Sequence, residues 1–245
     1  RRGGGLAAVA YGPCRVTADV GGRTVTLAMA TGYPFDGRVE IRVLEGGGRF
    51  PVSVRIPQWS GLPDAGRFRT FARDWKPGET VELDFPMATR LSFWEQDAAA
   101  VMRGPLLFAL RIPSEEKVVP RYQVPLGNRE IASDAVFPRK EIRPTAAWNY
   151  ALLLNGDRTL AGATVEGEGT EGLSLRARAV KTDFGGWGYM RDVTTGRAVD
   201  PPPSPVPDEG GRAETVTLVP IGLTEIRITL FPWLYERDRK QDLKP

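Results

Sequence analysis

The sequence has no histidine and a single cysteine, Cys14, in 245 residues. Without histidine, imidazole-based triads, zincin motifs and imidazole metal sites are closed to this chain. One cysteine excludes an internal disulfide and a cysteine-rich zinc site. Cys14 lies beside a Gly–Pro turn in AVAYGPCRVTADV, with no histidine to activate it, and reads as a small buried hydrophobe. No apolar run approaches the ~20 residues of a membrane helix. The opening RRGGGLAAVAYG is basic, but its apolar stretch is too short for a signal peptide. A start inside what reads as a strand is expected of a chain excised from a longer one. Neither sign of charge dominates: 33 basic and 30 acidic residues give a net charge of +3. The signs are interspersed, so nucleic acid is not an expected partner, and neither is a membrane. The glycine runs at 3–5 and 46–48 lack the lysine and helix of a phosphate loop.

What the chain does have is strand periodicity. Glycine and proline make up about a fifth of it and recur roughly every ten residues. Between them the apolar period is two. Val25, Leu27 and Met29 share one face; Val39, Ile41 and Val43 share another, with Glu40 and Arg42 opposite. Val52, Val54 and Ile56, then Val81, Leu83 and Phe85, repeat the pattern. YALLL at 150–154 is a continuous apolar run suited to a central strand, LSLRARAV alternates, and TVTLVPI and EIRITLF read as the strands that end the fold. The fold class expected is all-β: two antiparallel β-sandwich domains, jelly-roll-like, with dry faces packed together. A charged, proline-marked crossing places the boundary near 115, giving domains 1–115 and 116–245. A long loop at 183–214, holding DPPPSPVPDEGG, is expected to be extended and to face an interface or a ligand. The GGG at 46–48 reads as the turn of a hairpin.

No constellation in the chain specifies catalysis. Paired carboxylates are the usual glycosidase machinery, and Glu95 and Asp97, like Glu236 and Asp238, stand two residues apart; nothing places either pair in an apolar pocket, so both read as solvated surface. Aromatic residues are more suggestive. Trp187 and Tyr189, with Arg191 beside them, stand in the glycine-rich FGGWGYMR, where rings can stack on a sugar or cover an apolar edge. Asp36 in YPFDGR reads first as a turn cap and second as a sugar ligand. Trp59 closes the same region, and Trp75, before a turn and a strand, reads as core.

The ordered series YPFDGRVEIRV, VSVRIPQW, RDWKPGETVELDFPMATR and VMRGPLLFAL resembles the region following the catalytic barrel in glycoside hydrolase family 127. EIRPTAAWNYALLL and ETVTLVPIGLTEIRITLFP resemble that family's C-terminal domain, so the likeness covers nearly the whole chain. The family includes beta-L-arabinofuranosidases. The resemblance implies an (α/α)6 barrel followed by two β-sandwiches, with a cysteine nucleophile in a zinc site on the barrel. Cys14 does not match that nucleophile's motif, so no catalytic residue carries over and no cofactor is expected in this chain. Zinc is expected in the barrel of the parent protein. The implied function is the non-catalytic β region of a bacterial glycoside hydrolase, packed on and supporting a barrel missing from this chain. The barrel is the expected partner; plant-type glycans and self-association remain open. Two alternatives stand beside it: an independent carbohydrate-binding module using exposed aromatics, and a purely structural interaction domain. SGLPDAGRFRTFA, at 60–72, is shorter than the family's equivalent and lacks its Asn-Gly turn, which implies a missing hairpin.

Overall fold

A computed structural model describes residues 4–124, 129–132, 134, 136–182 and 201–238. The chain is all-β, and most of its ladders are antiparallel. It forms two compact units. The first comprises Arg1–Arg90, Met102–Leu106 and Gly167–Leu173; the second comprises Leu91–Val101, Leu107–Glu166 and Ser174–Pro245.

The first unit is a two-sheet sandwich. Its strands are β1 (Leu6–Ala8), β2 (Cys14–Asp19), β3 (Thr24–Thr31), β4 (Arg38–Glu45), β5 (Gly48–Arg55), β6 (Phe68–Trp75) and β7 (Thr80–Asp84). One sheet has the order β2-β3-β4-β7 and the other β1-β5-β6. The period-two apolar residues do what alternation requires. Val39, Ile41 and Val43 from one sheet meet Val52, Val54 and Trp75 from the other in a single buried core. Each such aliphatic side chain contributes roughly 1.5–3 kcal/mol by leaving water. Trp75 is core, as its sequence context implied.

Gly46–Gly48 do not close a hairpin. β4 pairs with β3 and β7, whereas β5 pairs with β1 and β6, so the triglycine carries the chain from one sheet to the other. Valines on both sides still face one core, because the core lies between the sheets. Alternation fixes which face is buried and is silent on which neighbour a strand takes. The hairpin in this region is β5–β6, paired from Gly48↔Trp75 to Arg55↔Phe68. Its short connection is held by a two-pronged bond from Arg69 to Asp64, at 2.8 and 2.7 Å. That hydrogen bonding keeps the Asp64 carboxyl below its ordinary range. Cys14 also departs from expectation. It sits on β2, an edge strand exposed along nearly its whole length, and is itself exposed rather than buried.

The remaining strands are β8 (Thr89–Phe93), β9 (Ala99–Arg103), β10 (Leu106–Leu110), β11 (Ser114–Val118), β12 (Arg121–Val124), β13 (Arg129–Ala132), β14 (Lys140–Pro144), β15 (Tyr150–Leu154), β16 (Thr164–Glu166), β17 (Ser174–Lys181), β18 (Ala213–Pro220), β19 (Leu230–Phe231) and β20 (Trp233–Tyr235). Two small ribbons, β11–β14 and β12–β13, stand apart from a nine-stranded sheet. Its main path runs β19-β9-β10-β18-β17-β15-β20, with β8 on β9 and β16 on β17. The two ends of this path, β19 and β20, are separated in sequence by Pro232 alone. The sheet therefore curls until both ends meet on one bent segment, and a sheet folded over itself encloses a core as two sheets would. YALLL is central, as its unbroken apolar run implied: β15 lies between β17 and β20, and Ala151 to Leu154 are fully buried.

EIRITLF is strand only at Leu230–Phe231. Upstream, Thr224 Oγ1 donates to the Ile226 carbonyl and Arg227 Nε to the Thr224 carbonyl, so local bonds replace the ladder there.

Candidate functional site

An aromatic cleft opens on the first unit. Its walls are Tyr11, Tyr33 and Trp59, with Arg55, Pro57, Gln58 and the chain at Val9–Ala10, and its volume is about 290 Å³. Local sequence explains how the parts arrive. Gly32 to Gly37 form a turn in which the Phe35 N–H donates to the Gly32 carbonyl at 3.0 Å. Asp36 Oδ1 accepts from the Arg38 N–H at 3.0 Å, so its carboxylate caps the turn leading into β4. The turn leaves Tyr33 half-buried against the sandwich core. Arg55 ends β5, and Gln58 and Trp59 follow in the short 3₁₀ turn Gln58–Ser60.

The rings are ordered among themselves. Tyr33 and Trp59 lie nearly parallel, 22° apart with centroids at 6.4 Å. Tyr11 meets Tyr33 edge-on at 5.5 Å, and Phe85 backs both Tyr11 and Trp59. The Tyr11 hydroxyl donates to the Arg55 carbonyl. Desolvation first, then repulsion from Tyr33, pushes the Tyr11 phenol up to about 12, against opposing pulls from Arg55 and Arg69. Desolvation likewise raises the Tyr33 phenol, partly offset by a hydrogen bond with the Trp59 side chain and by Arg55. Both phenols therefore remain neutral hydrogen-bonding groups through the physiological range.

Arg55 is exposed, and no carboxylate pairs with it among the described residues. The nearby acids are otherwise engaged, Asp64 on Arg69 and Asp36 on its own turn. The cleft is thus a set of ring faces beside an uncompensated guanidinium, a phenol donor and an amide.

Of the residues singled out in the sequence, Trp59 lines this cleft and Asp36 does not. Trp187, Tyr189 and Arg191, with most of the loop at 183–214, lie outside the described residues. Tyr11, Tyr33, Arg55 and Gln58 join Trp59 from separated stretches, and only Tyr33 had drawn notice, as part of the YPFDGR turn.

One member of each carboxylate pair, Asp97 and Glu236, is held in an ion pair. Asp97 accepts two bonds from the Arg158 guanidinium, at 2.7 and 2.8 Å. That guanidinium lies over Phe93 at 3.7 Å and Trp233 at 4.9 Å, and the Trp233 indole donates to the Asp97 carbonyl at 2.7 Å. Gln96, Asp97 and Arg158 all adopt positive φ, between 57° and 63°. Non-glycine residues hold that conformation where surrounding bonds over-determine it. Asp97→Ala is expected to cost about 1–3 kcal/mol, since it leaves a cation against rings with no partner. Urea denaturation checks this, with Glu95→Ala as the neutral comparison. Glu236 pairs with Arg178.

The zinc implied by the family resemblance finds no ligand set here. Cys14 is exposed, and no group of three ligating side chains occurs among the described residues. These residues do not fit that metal.

The fold defines an all-β protein with a sandwich unit that carries a ring-lined cleft. Comparison places it further. Residues 5–87, about a third of the chain and all within the first unit, match the family described as "Beta-L-arabinofuranosidase, GH127 middle domain". The resemblance read from the motif series is thereby supported. Over 94% of its length the chain shares the fold of a GH127 beta-L-arabinofuranosidase from Geobacillus stearothermophilus T6, with 19% identity and a TM-score of 0.55, and covers 34% of that chain. A second solved structure, a glycoside hydrolase, matches over 93% of this chain and 36% of its own, with 18% identity and a TM-score of 0.55. The chain thus spans about a third of the length of these hydrolases. No curated protein sequence matches it.

Proposed function

We propose that this chain is the non-catalytic β region of a glycoside hydrolase resembling the beta-L-arabinofuranosidases, and that it packs on and supports an (α/α)6 catalytic barrel in the same polypeptide. The observation that carries this reading is the match of residues 5–87 to a middle domain, a part by definition of something larger. The one-third coverage of the solved hydrolases supports it. The chain's contribution is a β-sandwich with its own buried core.

Incubated with an aryl β-L-arabinofuranoside, the purified chain is expected to release no arabinose. In the parent polypeptide, deletion of this region is expected to reduce the yield of soluble barrel at least several-fold. Turnover by the chain alone, or an undiminished barrel after deletion, overturns the reading.

A further inference from the structure

We propose that the cleft of Tyr11, Tyr33, Arg55, Gln58 and Trp59 binds a carboxylated sugar, a uronate residue of an acidic glycan. The inference concerns the first unit alone and stands apart from the barrel-supporting reading.

Three observations converge. The cleft's volume, about 290 Å³, is of the size that takes one sugar residue rather than a long chain segment. Its walls are amphipathic: half-buried Tyr33 and Trp59 line it with ring area on which the C–H face of a sugar can stack, and each ring carries a polar atom. Its polar complement is donor-rich. The Arg55 guanidinium has five N–H groups and no paired carboxylate among the described residues, and the Tyr33 phenol beside it is a neutral O–H donor. Among the described residues no carboxylate lines the cleft. A neutral sugar would leave the cation unanswered, whereas a planar carboxylate matches the guanidinium fork and takes a further bond from the phenol.

Calorimetric titration of the full chain at low salt, with trigalacturonate and with arabinotriose, tests the assignment. Trigalacturonate is expected to bind at least about tenfold tighter than the neutral trisaccharide. Arg55→Ala is expected to remove that preference, Arg55→Lys to restore only part of it, and Tyr33→Phe to weaken binding severalfold. Arg55 is exposed, so its variants should keep the wild-type unfolding midpoint, separating lost binding from lost folding. Trp59→Ala is avoided as the main variant because Trp59 packs on the core. Equal binding of the two trisaccharides, or no binding of either, overturns the proposal. So does competition by acetate as strong as by galacturonate, which reduces the site to charge alone.

Discussion

Trp75→Ala is expected to lower the stability of the first unit by about 3–5 kcal/mol, the largest single-residue loss in the sandwich. Trp75 is only 2% exposed and ends β6, where its ring packs on Phe50 with centroids 6.1 Å apart. Its indole N–H donates to the buried Phe50 carbonyl at 2.8 Å, and Arg73 covers the ring at 4.1 Å. Alanine removes the ring volume, the donor and the surface under Arg73 together. Trp75→Phe separates these terms. It keeps most of the packing and deletes the hydrogen bond, so its cost should fall to about 1–2 kcal/mol. Urea denaturation followed by far-UV circular dichroism reads both. Equal losses for the two variants would mean that the hydrogen bond, rather than the cavity, dominates.

Gly46→Ala is expected to cost about 2–4 kcal/mol through two separable effects. Gly46 has φ +75°, a left-handed conformation that disfavours any side chain, and a Cβ there would lie 2.3 Å from the Thr24 carbonyl oxygen. The obstacle is backbone, which cannot rotate aside. Gly21 provides the comparison: its φ is +64°, and a Cβ would meet nothing within 4 Å. Gly21→Ala should therefore pay only the conformational part, about 1–2 kcal/mol. Equal midpoints for the two alanine variants in thermal unfolding would sink the claim that the sheet crossing at 46–48 is sterically tight.

These two positions also show where sequence reading works and where it stops. Period-two alternation named the core-facing residues of β3, β4, β5 and β7, because burial of one face is a property of each strand alone. The continuous run YALLL marked a strand covered on both faces. Strand partners were another matter. The triglycine looked like a hairpin turn, yet it joins two sheets, since pairing depends on residues far away along the chain. EIRITLF read as a closing strand, yet most of it gave up the ladder to local bonds. Cys14 was assigned to the interior from its residue type, but β2 is an edge strand, and edge position has no local sign.

The cleft was legible only in part. Trp59 stood out as an aromatic at the end of a strand, and Asp36 was read first as a turn cap, the role its bond to Arg38 supports. Tyr11 and Arg55 are 44 positions apart and each is unremarkable in its own segment. They meet in one cleft only because the β1–β2 connection and the end of β5 are brought together by the fold. An arginine ending a strand with no acidic residue opposite it is the one clue that pattern reading might have used.

The bent segment Leu230–Tyr235 has a consequence for how this protein behaves in company. Sheets invite foreign strands through their unpaired borders, and long flat borders seed aggregates. Here both terminal strands of the main path are supplied by one stretch of two and three residues divided by Pro232. A proline offers no backbone N–H, and so short a border gives an incoming chain little to zip onto. By contrast, β2 in the first unit spans six residues, Cys14–Asp19, with one side unpaired. Unwanted strand addition, where it occurs, is expected at the longer open edges of the first unit, β2 and the eight-residue β6.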